Sequence, residues 1–239
     1  MGVDLANRLV RFDADDLGTT SSIAISGLES AETIVGIDVR PSNGELLALG
    51  STSRIYVIDP STGIAIQRGG QLAPALVGTT FGFDVNPVAD RLRIQTSAAE
   101  NLRLDPDTGA LAGTDSVLTF AVGDTNESAT PSIAGDAYMV PGTAGTTSLY
   151  AIDSALDVLV LSPMPNLGGV QTVGPLDIDA TGDVGFDIVP VGLAIIAYAA
   201  MTPSGATVST LYTIDLATGR ATSVGTIGGA RLVALSYFP

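Results

Sequence analysis

Three aspartates recur inside closely similar phrases: Ile37-Asp38-Val39-Arg40-Pro41, Phe83-Asp84-Val85-Asn86-Pro87 and Phe186-Asp187-Ile188-Val189-Pro190. Two degenerate copies, Ala137-Tyr138-Met139-Val140-Pro141 and Leu235-Ser236-Tyr237-Phe238-Pro239, put Tyr138 and Ser236 at the corresponding position. If these phrases surround one axis, Asp38, Asp84, Tyr138, Asp187 and Ser236 ring a central channel. Carboxylates brought that close repel unless they share a cation, pair with Arg or accept backbone N–H groups. Calcium is the natural cation for ligands that are all oxygen. A polar residue repeated beside apolar ones ordinarily bonds the backbone of its neighbour, and its repetition argues for structure over catalysis. Two such carboxylates are also the minimum equipment of a glycoside hydrolase, one as acid and one as nucleophile or base.

A second acidic cluster is Asp177-Ile178-Asp179-Ala180-Thr181-Gly182-Asp183. Oxygen ligands at alternate positions and Gly at the sixth resemble the first half of a calcium loop. The twelfth position is Ile188 and not Glu, so this is no EF-hand. Asp177, Asp179 and Asp183 are left as metal ligands or as the residues of an Asp-rich hairpin turn. Asp124 to Glu127 reads as a run of solvated loop charges.

Much chemistry is excluded by what the chain lacks. It has no His and no Cys, which removes Ser-His-Asp triads, thiol nucleophiles and the usual zinc and haem ligation. Acids outnumber bases 25 to 10, every base is Arg, and the net charge is -15. Such a chain neither neutralises phosphates nor adheres to an anionic membrane surface, and its charge favours a monomer. There is no Trp and aromatic residues make up 5%, a poor endowment for sugar hydrolysis. The longest apolar run, Ile188 to Met201, is broken by Pro190 and Gly192 and reads as two buried strands joined by a turn. Met1-Gly2-Val3-Asp4 carries no charged-then-apolar leader and reads as the start of a mature fragment.

The elements that must position the aspartates follow from a second repeat. An alternating strand ending in Asp occurs at Leu9–Asp13, Tyr56–Asp59, Leu102–Asp105, Tyr150–Asp153 and Tyr212–Asp215, with the Asp residues 46, 46, 48 and 62 apart. Three of these run into one turn chemistry: Asp59-Pro60-Ser61-Thr62-Gly63, Asp105-Pro106-Asp107-Thr108-Gly109 and Asp215-Leu216-Ala217-Thr218-Gly219. There Asp caps the turn and Gly takes the left-handed position. Two strand signals at a period near fifty describe the blade of a propeller. The whole chain, 1–239, reads as one all-β domain, a five-bladed β-propeller. The N- and C-terminal strands pair to close it, Leu232–Phe238 joining the strands of residues 3–25. Only 12 residues separate Pro141 from Asp153, against 18 in each of the first two blades, so the third blade lacks a middle strand or the repeat slips there.

Gly82-Phe83-Asp84-Val85-Asn86-Pro87 with Asp90-Arg91-Leu92-Arg93, followed by Asn101-Leu102-Arg103-Leu104-Asp105-Pro106-Asp107-Thr108-Gly109, resembles the secreted bacterial family called domain of unknown function 4394. The resemblance runs from Asn7 to Pro239. It implies an exported, extracellular or periplasmic bacterial β-propeller and brings no catalytic residue with it. The expectation is a non-enzymatic binding or scaffold module whose loops meet a glycan, a peptide or a protein, needing no cofactor unless calcium occupies one of the acidic clusters. The alternative is a carboxylate-based glycoside hydrolase at the channel mouth, with or without calcium dependence.

Overall fold

The computed structural model describes residues 1–140, 145–192 and 194–238. The chain opens on β1 (Gly2–Asp4), β2 (Arg8–Asp13) and β3 (Asp16–Ala24), the outer strands of a sheet whose innermost member comes last. Blade 1 follows as β4 (Ile34–Val39), β5 (Leu46–Gly50), β6 (Arg54–Ile58) and β7 (Ala65–Arg68), and blade 2 as β8 (Phe81–Asn86), β9 (Arg91–Thr96), β10 (Asn101–Leu104) and β11 (Leu111–Thr114). Blade 3 holds β12 (Thr119–Phe120), β13 (Ile133–Met139), β14 (Ser148–Asp153), β15 (Val158–Ser162) and β16 (Gly169–Pro175). Blade 4 is β17 (Ala180–Val191), β18 (Ala194–Pro203), β19 (Thr210–Ile214) and β20 (Ala221–Thr226). Finally β21 (Leu232–Leu235) pairs antiparallel with β1, Gly2 opposite Leu235 and Val3 opposite Ala234, and completes blade 5. The molecule is a five-bladed β-propeller closed by its two ends, as the repeats require.

Burial follows position within the blade. The inner strands β4, β8 and β13 are covered on both faces and are buried along most of their length. The outer strands β11 and β20 are mostly exposed. Inner strands converge on the axis, and glycine lets them approach. A Cβ on Gly36 would lie 2.6 Å from the Phe83 Cβ, and one on Gly185 would overlap the Leu235 backbone. The predicted turns form as expected: Asp59, Asp105 and Asp215 accept turn amides, and Gly63, Gly109 and Gly219 have φ of 74°, 66° and 82°.

Blade 3 resolves the ambiguity left by the repeat. No middle strand is missing. Tyr150–Asp153 lies on β14, the second strand of its blade, and not on the third as its counterparts do. The third is β15, and β12 adds a fifth strand running parallel to β16. The repeat therefore slips at this blade. Asp153 nevertheless caps its own turn through the amides of Ala155 and Leu156. Asp124 is more than a solvated charge: it accepts bonds from the Thr172 amide and hydroxyl, both at 2.7 Å, and ties the long loop to β16. Ile188 to Met201 forms the ends of β17 and β18, joined through Gly192 at φ 62°. Pro141 and Pro239, which close the two degenerate phrases, lie outside the described residues. No helix among the described residues is long and apolar enough to cross a membrane.

Most of the core lies in the wedges between blades. Val3, Leu9, Ile37 and Ala48 pack between blades 5 and 1, and Leu47, Phe83 and Ile94 between blades 1 and 2. Ala137, Phe186 and Met201 pack between blades 3 and 4, and Val10, Ala200 and Leu232 between blades 4 and 5. The wedge between blades 2 and 3 is mixed, with an apolar cluster of Ala99, Ile133, Ala151 and Val160 beside polar side chains. Arg93, Gln95, Asn101 and Asp136 are all buried there.

Candidate functional site

The innermost strands bring Asp38, Asp84 and Asp187 together at the axis. One carboxylate oxygen of each lies within 4.8 Å of the others, the only such group of three metal-ligand side chains among the described residues. They form part of the floor of a cavity of about 380 Å3, whose walls include Pro87, Val140, Pro190, Ile195 and Tyr237. Each side chain is only 5–8% exposed.

One oxygen of every aspartate is committed to the next blade. Asp38 accepts from the Val85 amide at 2.9 Å, Asp84 from the Tyr138 amide at 2.9 Å and Asp187 from the Tyr237 amide at 2.6 Å. The Ser236 hydroxyl continues the series, accepting from the Val39 amide at 3.1 Å while donating to Asp38 at 3.0 Å. Each inter-blade contact is thus a backbone amide held by the side chain one step earlier in the neighbouring blade. That is the structural duty a repeated buried acid ordinarily has.

This register corrects one ring position. Gly36, Gly82, Gly135 and Gly185 occupy one level, each facing the residue that follows the corresponding position of the next blade. Two residues beyond them stand Asp38, Asp84, Ala137 and Asp187. The fifth ring member is therefore Ala137, and Tyr138 sits one step along, where it supplies the amide to Asp84. Its side chain still lines the mouth, and its hydroxyl accepts from Arg93 Nε. Ala137 offers Ile188 no acceptor, so the series has one break.

Electrostatics follow from burial. Burial above all, and then the neighbouring carboxylate of Asp187, pushes the Asp38 carboxyl well up from its ordinary range. Asp84 is raised by burial and then by Asp38 and Asp187. Burial raises Asp187 too, against the amides of Tyr237 and Ile188. Burial thus favours the uncharged carboxyl in all three, which lessens their repulsion. A hard cation would sit among the three oxygens, but calcium takes six to eight, and the other two ring positions give an alanine and a hydroxyl already used twice.

Below the trio the channel narrows to about 10 Å3 at the glycine level, room for about one water. Asp136 lines this constriction at 1% exposure, and neither of its oxygens has a partner among the described residues. Ile37, Phe83, Phe186 and Leu235 occupy its level in the other blades, so the sequence signal was an acid where apolar residues repeat.

Asp177, Asp179 and Asp183 are not gathered into a ligand set. Asp177 lies 3.4 Å from Arg220, Asp183 pairs with Arg231, and Asp179 is exposed with its backbone carbonyl holding the Ser204 amide.

A larger opening, about 630 Å3, separates blades 4 and 5 and reaches the channel beside Asp187. Phe12, Tyr198, Tyr237 and Phe238 line it, four of the chain's six Phe and six Tyr. The Arg11 guanidinium stands 5.6 Å from the centre of the Phe238 ring. Asp13, Asp15, Thr19 and Ser21 supply the polar part of its wall. Sequence reasoning missed this cleft, because its residues come from both ends of the chain and meet only on closure.

The chain belongs to the family described as domain of unknown function DUF4394, which matches residues 8–236. No curated protein matches its sequence. Among solved structures, an auxiliary nutrient binding protein from Bacteroides ovatus ATCC 8483 superposes with a TM-score of 0.51 at 14% identity, covering 82% of this chain and 55% of that one. Its counterpart from Bacteroides thetaiotaomicron VPI-5482 gives 0.46 at 14% identity, covering 76% and 47%. The dihydro-heme d1 dehydrogenase NirN gives 0.45 at 14% identity, covering 92% and 43%. The chain spans about half the length of these structures. At such identities the likeness is one of fold.

Proposed function

We propose that this propeller is a non-enzymatic, extracytoplasmic binding module whose ligand seats in the aromatic cleft between blades 4 and 5. The observation that carries the reading is the composition of that cleft. Four aromatic rings and a polar wall enclose about 630 Å3, within the range of small-molecule sites. Aromatic faces with nearby hydroxyls and carboxylates suit a glycan or the side chains of an extended peptide. The name of the Bacteroides ovatus protein, an auxiliary nutrient binding protein, is in keeping with this. The hydrolase alternative is disfavoured by its own residues: Asp38, Asp84 and Asp187 are buried and bonded to backbone amides, where an acid–nucleophile pair needs an open cleft.

A glycan array and a peptide array test the reading, followed by calorimetry on Tyr198→Ala and Tyr237→Ala. Saturable binding that falls roughly tenfold or more in each variant is expected. Binding unchanged in both, or turnover of a bound glycan, would remove it. Calcium is expected to leave the melting temperature within about 1 °C of its value in EDTA, since a tight site would raise it by mass action.

A further inference from the structure

Three of the ten arginines converge on one pocket. Arg91 and Arg93 are two residues apart on β9 and so share a face of its sheet. Arg103 on β10 stands directly opposite Arg93. Like charges so paired repel, and a sheet holds them only with an anion between. Asp115 provides one: Arg93 Nη1 donates to it at 2.6 Å, and Arg103 Nε and Nη2 donate at 2.8 Å each. The remaining donors of Arg93 are spread over the Tyr138 hydroxyl, Asn101 and Asn166, which fix its guanidinium in place.

One carboxylate does not balance three guanidiniums. Arg91 donates Nη1 to the Asp90 carbonyl at 2.7 Å and has its Nη2 3.8 Å from Asp105, and Arg103 Nη1 lies outside its pair with Asp115. These groups face a pocket of about 440 Å3 between blades 2 and 3. No Asp or Glu among the described residues lines it, in a chain where acids outnumber bases 25 to 10. Its other wall is the short turn at Pro165–Leu167, where Met164 and Leu167 stand 61% and 63% exposed at the rim. Asn86 and Thr147, bonded to each other, close a third side.

From this geometry we infer that the pocket between blades 2 and 3 binds a small organic carboxylate with an apolar body. The Nη1 side of Arg103 that Asp115 leaves open, with Arg91 beside it, offers a carboxylate donors from two guanidiniums. The body lies against Met164 and Leu167, which gives those exposed side chains cover. A compact inorganic anion meets the charge but leaves this apolar wall in water, so the wall selects for the organic ligand. The site is separate from the aromatic cleft and stands whether or not that cleft binds.

Calorimetry with benzoate, benzamide and inorganic sulfate tests the inference on the whole chain. Saturable benzoate binding is expected, weakening as salt is raised, with benzamide and sulfate each at least roughly tenfold weaker. Arg91→Met, an exposed position, and Met164→Asp, which puts a negative charge on the rim, should each weaken benzoate roughly tenfold. Arg220→Met, elsewhere on the surface, should not. Arg103→Met should lose binding altogether, and the two exposed variants decide the matter if its loss of the Asp115 pair unfolds the chain. Absence of saturable benzoate binding would overturn the inference. So would binding unaltered in both Arg91→Met and Met164→Asp, or sulfate binding as tightly as benzoate.

Discussion

The two joints that flank blade 3 differ in their interiors. Toward blade 4, Gly135 meets Val184 and Phe186, and the wedge is closed by Ala137, Ile188 and Met201. Toward blade 2, Gly82 meets the Asp136 carboxyl, and the wedge holds Arg93, Gln95 and Asn101. The first joint offers the Ile188 amide no side-chain acceptor from the neighbouring blade, since Ala137 stands there, whereas the second has Asp84 for that of Tyr138. A propeller needs only that neighbouring sheets fit closely. Apolar packing meets that need without direction, and a polar network meets it with fixed side chains. The polar joint is also the one with the arginine pocket. Burying charge there costs stability that an apolar wedge keeps, and it leaves a rigid cationic wall.

The comparison breaks most sharply at the glycines. An added Cβ on Gly82 would lie 2.5 Å from the Asp136 Cγ, whereas one on Gly135 meets the Phe186 Cβ at 3.0 Å and Val184 Cγ1 at 3.1 Å. Gly82→Ala is expected to lower unfolding stability by about 2–3 kcal/mol and Gly135→Ala by about 1 kcal/mol. Adding Asp136→Ala should restore most of the first loss and none of the second. Chemical denaturation of the parent, Asp136→Ala, the two glycine variants and the two doubles measures this, each double being compared with Asp136→Ala, and no recovery in Gly82→Ala/Asp136→Ala would show that the carboxyl is not what the methyl meets.

Asp136→Leu comes next in size. It replaces an unpartnered buried acid with the apolar type found at that level elsewhere, and a gain of about 1–3 kcal/mol at neutral pH is expected. Burial, partly offset by the Arg93 charge, holds the Asp136 carboxyl well above its ordinary value. A raised native carboxyl binds its proton more tightly folded than unfolded. Its stabilising effect is complete below the unfolded value near about pH 4 and is lost as pH rises through the native one. The melting temperature should therefore fall with rising pH above this point, and Asp136→Leu should flatten the fall. Asp38, Asp84 and Asp187 act in the same sense, so a slope remains. A variant as pH-sensitive as the parent would show that Asp136 is ionised or solvated.

The smallest effect expected is repair of the break in the ring. Ala137→Ser sets a hydroxyl before the Ile188 amide, as Ser236 sets one before that of Val39 at 3.1 Å. A gain of about 0.5–1 kcal/mol is expected. A loss would mean that the apolar joint has no room for the oxygen.

The architecture was legible because it rests on local chemistry repeated five times. Turns such as Asp105-Pro106-Asp107-Thr108-Gly109 need only their own residues, and an inner strand shielded on both faces writes itself as an apolar phrase. The sequence misled where two signals coincided by chance. Tyr150–Asp153 copies the Asp-ending phrase on the wrong strand of its blade, and Tyr138 stands beside the ring position because its phrase lacks the acid that would fix the register. The trio at the axis was visible as three residues, but whether it binds backbone or metal depended on the amides of Val85, Tyr138 and Tyr237 reaching across blades. The arginine pocket left one trace, Arg91-Leu92-Arg93 on an alternating strand. Its apolar rim comes from Met164 and Leu167, more than seventy residues on, which no local pattern ties to it.

The seam in blade 5 bears on synthesis. Because β21 is the axial strand of a sheet begun by β1, a nascent chain leaving the ribosome holds an open arc, with the apolar flanks of Val3 and Leu9 bare, until β21 has emerged. Folding cannot finish vectorially, and the late, long-range step should set its rate. Rejoining the present ends and cutting the chain between two other blades would move that step, giving a permutant with the same rosette and a different exposure to misassembly.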